Sequence, residues 1–221
     1  MNMKKIVLVL IVSWAVGFIS CNKDEINNTE TKVGISDVTV YATVTLKGAQ
    51  YMTIPLNGTF TDPGVEAKEG STTIQYTTAG SVNTSTAGVY QLTYTAINKD
   101  GFPASTNRWV AVYSTDATAA ANDFSGTYLR AATGVNSFWT KLAPGVYKVD
   151  NPGGAASGAG LTIVVFNPTG LEVHAPSQKS NDGNTSSTSN ESYKPTPAPA
   201  TYSWVFNNPG YGTGVRTFTK Q

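Results

Sequence analysis

The sequence predicts an all-β protein of two domains, a β-sandwich followed by a second antiparallel β domain that is a sandwich or barrel-like. Three observations support this. Short segments alternate apolar and polar residues with the period of two that marks half-buried strands. Turn signals rich in Gly, Pro and Asn separate these segments at regular spacing, as in sandwiches and barrels. No segment sustains the period of an amphipathic helix.

The first domain is predicted over residues 35–113. Alternating apolar side chains mark residues 38–44 and 90–96 as half-buried strands. A hairpin-type turn follows at residues 99–101, and residues 108–113 form the closing strand. Several short strands with intervening turns predict a sandwich.

The motifs of this domain, in their order along the chain, resemble those of bacterial immunoglobulin-like domains. They are Thr59-Phe60-Thr61-Asp62-Pro63-Gly64-Val65-Glu66-Ala67, Gly80-Ser81-Val82-Asn83-Thr84-Ser85-Thr86-Ala87-Gly88-Val89-Tyr90, Leu92-Thr93-Tyr94-Thr95-Ala96, Asp100-Gly101 and Arg108-Trp109-Val110-Ala111-Val112. The resemblance implies an immunoglobulin-like β-sandwich. It says little about function, because such domains often serve as spacers and one fold hosts many functions.

The second domain is predicted over residues 123–221, after a linker at residues 114–122 that contains no large apolar side chain. Within the domain, residues 177–200 are mainly Ser, Thr, Asn, Lys and Pro, with Tyr193 as the one aromatic residue. Such a composition buries little apolar surface, so we expect a disordered loop there. The predicted strands are residues 124–130, 138–142, 145–149, 161–166, 171–175, 202–206 and 215–219.

The N-terminus has the pattern of a secretory signal peptide. Lys4 and Lys5 precede an apolar run over residues 6–19. This run is short for a membrane span, which needs roughly 20 apolar residues. We therefore predict a signal peptide over residues 1–20, with an uncleaved membrane anchor as the alternative.

Cys21 is the only cysteine, so no disulfide can form within the chain. The residues Phe18-Ile19-Ser20-Cys21 resemble the lipobox of bacterial lipoproteins, which implies a diacylated Cys21 at the start of the mature chain. Two acyl chains are what stable membrane anchoring generally requires. A free reactive thiol is the alternative.

The residues after Cys21 are polar and predict a flexible tether over residues 21–34. Its start, Asn22-Lys23-Asp24-Glu25, resembles the signal that follows the lipidated cysteine in surface-exposed lipoproteins of the Bacteroidetes. The whole chain resembles two-domain surface lipoproteins of that phylum, some of which are linked to glycan uptake. The resemblance implies an outer-membrane protein, anchored in lipid through Cys21 and exposed at the cell surface.

The charge distribution argues against nucleic acid as a partner. Lys4 and Lys5 leave with the signal peptide, so 13 of the 15 basic residues remain, against 14 acidic ones. The sequence shows no basic stripe that would track a phosphate backbone.

No residue set predicts catalysis or a cofactor, so we expect a protein that is not an enzyme. His174 is the only histidine, and no Gly-x-Ser-x-Gly elbow accompanies it. One His and one lipidated Cys cannot supply the usual ligands of zinc. A calcium site at the turn residues Asp62 or Asp100 is a minor alternative, because no dense run of oxygen ligands surrounds either.

Aromatic side chains remain as candidates for ligand binding, since sugar rings stack on flat side chains. Trp204 shares a strand face with Tyr202 and Phe206, so core packing is its alternative role. Tyr211 lies in a Gly-rich loop and is the better candidate for exposure. We predict a glycan-binding or glycan-uptake accessory module, or else an adhesin-type protein that binds other surface proteins. The candidate ligand-binding residues are Trp139, Tyr147, Trp204, Tyr211, Asn208 and Arg216.

Overall fold

A computed structural model describes residues 32–33, 36–158 and 160–221. Near the N-terminus, β1 (Lys32–Val33) pairs with β2 (Ser36–Asp37) in an antiparallel ladder. The predicted signal peptide, the lipidation site Cys21 and most of the predicted tether lie outside the described residues. None of the helices that the structure describes is long and apolar enough to cross a membrane. Residues 41–221 form one compact unit.

The N-terminal domain is a sandwich of two sheets. One sheet has the order β3-β5-β6, and the other has the order β4-β9-β8-β7, in which β4 and β9 run parallel. The strands are β3 (Ala42–Leu46), β4 (Tyr51–Pro55), β5 (Val65–Glu69), β6 (Thr72–Thr73), β7 (Tyr76–Ala79), β8 (Gly88–Ile97) and β9 (Pro103–Tyr113).

The alternation of apolar and polar residues in the sequence determines which face of β8 is buried. In β8, Leu92, Tyr94 and Ala96 are buried, while the residues between them are partly exposed. Val65 joins Leu92 and Tyr94 in one core cluster between the sheets. The period of two thus directs one face of each strand into the sandwich.

The C-terminal domain is an eight-stranded antiparallel sheet that curls into a nearly closed barrel. Its strand order is β13-β12-β11-β10-β17-β16-β15-β14. The strands are β10 (Gly126–Arg130), β11 (Val135–Ala143), β12 (Val146–Asp150), β13 (Thr162–Phe166), β14 (Gln178–Lys179), β15 (Thr185–Lys194), β16 (Thr201–Asn207) and β17 (Val215–Lys220). A short 3-10 helix, Ala156–Gly158, lies between β12 and β13.

The disordered loop predicted at residues 177–200 is wrong. Residues 185–194 form β15, which pairs with β16 along most of its length. Composition suggested disorder because few side chains there are apolar. The ladder to β16 satisfies the backbone, and Tyr193 packs on Phe124 with ring centroids 4.1 Å apart. A polar segment can therefore be a strand when its neighbours supply the core.

Side-chain amides join the two edges of the barrel sheet. The amide of Gln178 accepts a hydrogen bond from Val164 N at 2.8 Å and donates one to Val164 O at 2.7 Å. It thereby occupies the position of a peptide group on a neighbouring strand. Asn181 acts in a similar way on the same strand, because its side-chain Oδ1 accepts a hydrogen bond from Thr162 N at 2.8 Å. The edge of β13 is thus covered rather than left open to other chains.

The segment between the domains is ordered. The helix α1 (Ala117–Ala120) is capped by Asp116, whose carboxylate accepts hydrogen bonds from two backbone N–H groups of the first turn. Ala119 is fully buried. The Thr169 hydroxyl also donates to Asp116 at 2.7 Å, which ties the segment to the barrel.

The two domains share a packed contact. Trp109 of the sandwich donates a hydrogen bond from Nε1 to Lys179 O of the barrel at 2.7 Å. Tyr51 stacks on Trp109 with ring centroids 5.1 Å apart. Ala111 of the sandwich also shares a core cluster with Val164 and Phe166 of the barrel. This contact fixes the barrel against the sandwich.

Candidate functional site

Four loops gather at one mouth of the barrel. Because neighbouring strands are antiparallel, the loops after β10, β12, β14 and β16 all emerge at the same end of the sheet. They comprise residues 131–134, 151–161, 180–184 and 208–214. Barrel mouths of this kind are common places for ligand sites.

A cleft of about 540 Å³ opens between three of these loops. Its volume lies in the range of roughly 300–1,000 Å³ that is typical of small-molecule sites. The lining is rich in amide, hydroxyl and carboxylate groups, with one aromatic ring. The lining residues are Ser157, Gly160, Leu161, Asn181, Asp182, Asn184, Asn208, Gly210 and Tyr211.

Asp182 organises one wall of the cleft. Its Oδ1 accepts hydrogen bonds from the Ser180 hydroxyl and from Asn184 N, and its Oδ2 accepts from the Asn184 and Asn208 side-chain amides at 2.9 and 3.1 Å. Partial burial raises the pKa of Asp182, but these hydrogen bonds outweigh burial and lower the pKa to about 2. Asp182 is therefore ionised at neutral pH, and its four acceptor positions are filled by the protein.

Asn208 and Tyr211, both predicted as ligand-binding residues, lie together in the cleft. The Asn208 side chain is buried, donates to Ser186 Oγ at 3.0 Å and accepts from Gly210 N at 2.9 Å. Its backbone carbonyl accepts from Tyr211 N at 2.9 Å. These bonds shape the turn that places Tyr211, half-buried, in the cleft wall.

The Tyr211 ring is held on several sides. It packs edge-on against Phe206, with centroids 4.9 Å apart. A Cβ on Gly153 would overlap the ring, so only glycine permits this approach. Burial raises the pKa of the Tyr211 hydroxyl, which keeps it protonated and able to donate.

Arg216 lies beside this ring rather than in the cleft lining. Its guanidinium carbon is 5.3 Å from the Tyr211 centroid. Nη1 and Nη2 donate to the carbonyls of Gly212 and Gly214 at 3.0 to 3.3 Å. Arg216 therefore shapes the loop after β16 while its charge stays at the mouth.

Three predicted binding residues are in the core instead. Trp139, Tyr147 and Trp204 are at most 3% exposed and belong to the aromatic cluster that fills the barrel. They sit on inward-facing strand positions, where packing takes priority over ligand contact. Trp204 Nε1 donates to Pro152 O at 2.9 Å, and the Tyr147 hydroxyl donates to Asn122 O at 2.8 Å. The predicted stacking surface is therefore not built from these rings.

The loop of residues 180–184, which supplies three polar lining residues, was not predicted from the sequence as part of a site. Asn181, Asp182 and Asn184 surround Gly183, which has a positive φ of 81°. The Asp-Gly turn signal was present in the sequence, but the polar composition around it was interpreted as disorder.

The described part of the chain shows no cluster of metal ligands. No group of three or more His, Cys, Asp or Glu side chains there could hold a metal ion. Asp62, one of the two residues considered for calcium, instead forms an ion pair with the buried Arg108. His174 lies 4.0 Å from Glu172 and pairs with Phe166, at the end of β13 opposite the mouth loops.

A solved structure and a family model match parts of this chain. The crystal structure of a lipoprotein from Bacteroides thetaiotaomicron is similar at 23% sequence identity, covers 82% of this chain and 100% of that one, and has a TM-score of 0.42. No curated protein matches the chain. Residues 44–112 match the family model described as bacterial surface protein, Ig-like domain. The N-terminal domain of this chain is therefore an immunoglobulin-like domain of the kind found in bacterial surface proteins.

Proposed function

We propose that this protein is a cell-surface lipoprotein that binds a glycan in the mouth cleft of its C-terminal barrel. Lipid on Cys21 anchors it in the outer membrane, and the immunoglobulin-like domain holds the barrel away from the lipid. Such a domain fits a non-catalytic protein of the bacterial surface.

The observation that carries the proposal is the cleft itself. Amide groups of Asn181 and Asn184, the Ser157 hydroxyl and the Tyr211 ring border a space of about 540 Å³. Sugar hydroxyls need both donors and acceptors, which amides and hydroxyls supply together. The aromatic edge of Tyr211 adds apolar contact to the same wall.

A second candidate is an adhesin-type role, and one surface feature favours it. Tyr41, Ile97 and Phe102 are 64%, 59% and 46% exposed in the sandwich. The Tyr41 and Phe102 rings meet edge-on with centroids 5.5 Å apart. Exposed apolar clusters often mark surfaces that bind other proteins.

Affinity electrophoresis through gels that contain single polysaccharides tests the glycan proposal. We expect one polysaccharide to retard the purified protein, and Asn184→Ala and Tyr211→Ala to abolish the retardation. Leu171→Ala serves as the matched control, since Leu171 is 44% exposed and does not line the cleft. If no polysaccharide retards the protein, the glycan proposal fails and the adhesin-type role takes its place.

A further inference from the structure

Three basic side chains surround the mouth of the barrel. Arg130 ends β10 and Arg216 lies near the start of β17, the strand next to β10. Lys179, at the end of β14, reaches Gly183 O with its Nζ at 3.3 Å. The four mouth loops themselves contain one charged residue, Asp182.

The register places both arginines on the inward face of the barrel. Leu129 pairs with Thr219, which puts Arg130 opposite Phe218 at the next position. Phe218 is fully buried in the aromatic core, and Arg216 is two residues away on the same strand face. The arginines therefore form the last inward-facing layer, where the core meets the mouth.

Neither arginine is neutralised by a carboxylate. The ion pairs among the described residues do not include Arg130, Arg216 or Lys179. Asp182 cannot serve as the carboxylate partner of these arginines, because hydrogen bonds from other groups fill its acceptor positions. Burial and the nearby Arg130 both lower the pKa of Arg216, as expected for a cation without a counter-charge.

Both guanidinium groups keep unused donors. Arg130 donates from Nη1 to the carbonyls of Gly153 and Gly154, and the structure gives its Nε and Nη2 no protein acceptor. Arg216 is 8% exposed, and its Nε also lacks a hydrogen-bond partner. A buried donor left unpaired is costly, so an incoming acceptor at this place would gain more than it would on an open surface.

From this arrangement we infer that the glycan is acidic and that Arg130, with Arg216 behind it, binds its anionic group. This inference rests on the proposed glycan-binding function and narrows its ligand class. Guanidinium groups match the planar fork of a carboxylate and also bind sulfate-type oxygens. Tyr211 connects the two parts of the site, because its ring lines the cleft and lies against Arg216.

The test compares polysaccharides that differ only in charge. A polyuronate, its carboxyl-reduced neutral form, a sulfated polysaccharide and its desulfated form are titrated against the purified protein by calorimetry. We expect one of the charged polymers to bind and its neutral form to bind at least about 10-fold more weakly, as the loss of a charge-assisted hydrogen bond implies. The charged polymer that binds identifies the carboxylate or the sulfate as the recognised group.

Variants separate a specific site from general attraction. Arg130→Gln should weaken the charged polymer about 10-fold or more, and Arg130→Lys should restore part of the affinity. Lys99→Gln removes the same charge from an exposed turn of the sandwich and should leave binding unchanged. Thermal unfolding of Arg130→Gln reports whether the fold is retained.

The results that contradict an acidic ligand differ from the results that contradict glycan binding as a whole. A neutral polysaccharide that binds as well as its charged form would overturn the acidic-ligand inference and leave glycan binding intact. Equal losses in Arg130→Gln and Lys99→Gln would also overturn it, since they indicate attraction without a site. Absence of binding to every polymer, charged or neutral, would remove both the inference and the proposed function.

Discussion

At the scale of single residues, Arg108 explains why the first domain carries its Thr-Asp-Pro-Gly motif. The Arg108 side chain is fully buried and forms an ion pair with Asp62. It also donates to the backbone carbonyls of Ala49 and Gly64, at 3.2 Å each. The Tyr94 hydroxyl donates to the same Asp62 carboxylate at 2.7 Å. The motif thus places Asp62 at the end of a largely buried network of hydrogen bonds and one ion pair.

Removing Arg108 should destabilise the sandwich strongly. Arg108→Ala leaves Asp62 without its cation and several carbonyls without donors, so we expect a loss of about 3–5 kcal/mol in the free energy of unfolding. Urea unfolding followed by circular dichroism measures it. Lys68→Ala is the control, because its ion pair with Glu66 is on the surface and should contribute about 0–1 kcal/mol. Similar losses in both variants would refute the network's role.

Asp182 should make the mouth sensitive to acid. Its pKa is about 2 in the folded protein and 3.8 without the fold, so the carboxylate stabilises the native state above pH 3.8. That contribution is lost as the pH falls through about 2. We therefore expect the gap in urea midpoint between wild type and Asp182→Asn to be large at pH 5 and to narrow towards pH 2. Asp100→Asn, in an exposed turn, is the charge-matched control, and a gap that does not change with pH would contradict this account.

At the scale of elements, the barrel closes through side chains as well as through strands. His174 and Phe166 exchange backbone hydrogen bonds at 2.8 and 3.0 Å, and the Gln178 amide takes over at Val164. The side-chain amide of the buried Gln178 therefore takes the place of a peptide group beside Val164 of β13. Polar side chains at a sheet edge thus protect the backbone groups of a buried strand.

Gln178→Ala should open this join between β13 and β14. The N–H and C=O of Val164 would lose their partners, at a cost of about 1–3 kcal/mol for each buried group left unpaired. Hydrogen exchange should show faster exchange at Val164 N–H than in the wild type. Gln75→Ala, at an exposed position of the sandwich, should change neither quantity. Unchanged protection at Val164 in Gln178→Ala would show that the amide does not close the barrel.

Strands with a clear apolar pattern could be predicted from the sequence. Strands whose stability depends on pairing with neighbouring strands could not. The period of two identified β8, and a continuous apolar run identified β13, whose residues are all buried. β15 has neither signal, because its stability comes from pairing with β16 and from Tyr193. The cleft shows the same limit. Tyr211 and Asn208 stood out in their loop, whereas Asp182 acquires its role from hydrogen bonds within its own loop and from Asn208 of the loop after β16.

At the scale of the whole molecule, the contact between the domains joins the immunoglobulin-like sandwich to the strand end beside the candidate site. Trp109 is 3% exposed and lies between Tyr51 and the carbonyl of Lys179, which immediately precedes the mouth loop of residues 180–184. Burial raises the pKa of Tyr51 to about 12, which agrees with a dry contact. The sandwich therefore also supports one wall of the mouth, the loop of residues 180–184.

Trp109→Ala should uncouple the two domains. Truncation of a buried Trp costs about 3–5 kcal/mol, and here it also removes the hydrogen bond to Lys179 O. We expect scanning calorimetry to show one unfolding transition for the wild type and two for this variant. Phe138→Ala, which truncates a ring that is 47% exposed on the barrel, should keep a single transition. A single transition in Trp109→Ala would mean that other contacts suffice.

We propose the barrel mouth as the place where the protein binds a glycan. The most direct measurement is a nuclear magnetic resonance titration of the backbone amides with the polysaccharide that retards the protein most in gels. We expect shifts confined to residues 151–161, 180–184 and 208–214 and to the strand ends that carry Arg130 and Arg216. Shifts centred on Tyr41 and Phe102, or spread over the sandwich with the mouth loops unchanged, would contradict it.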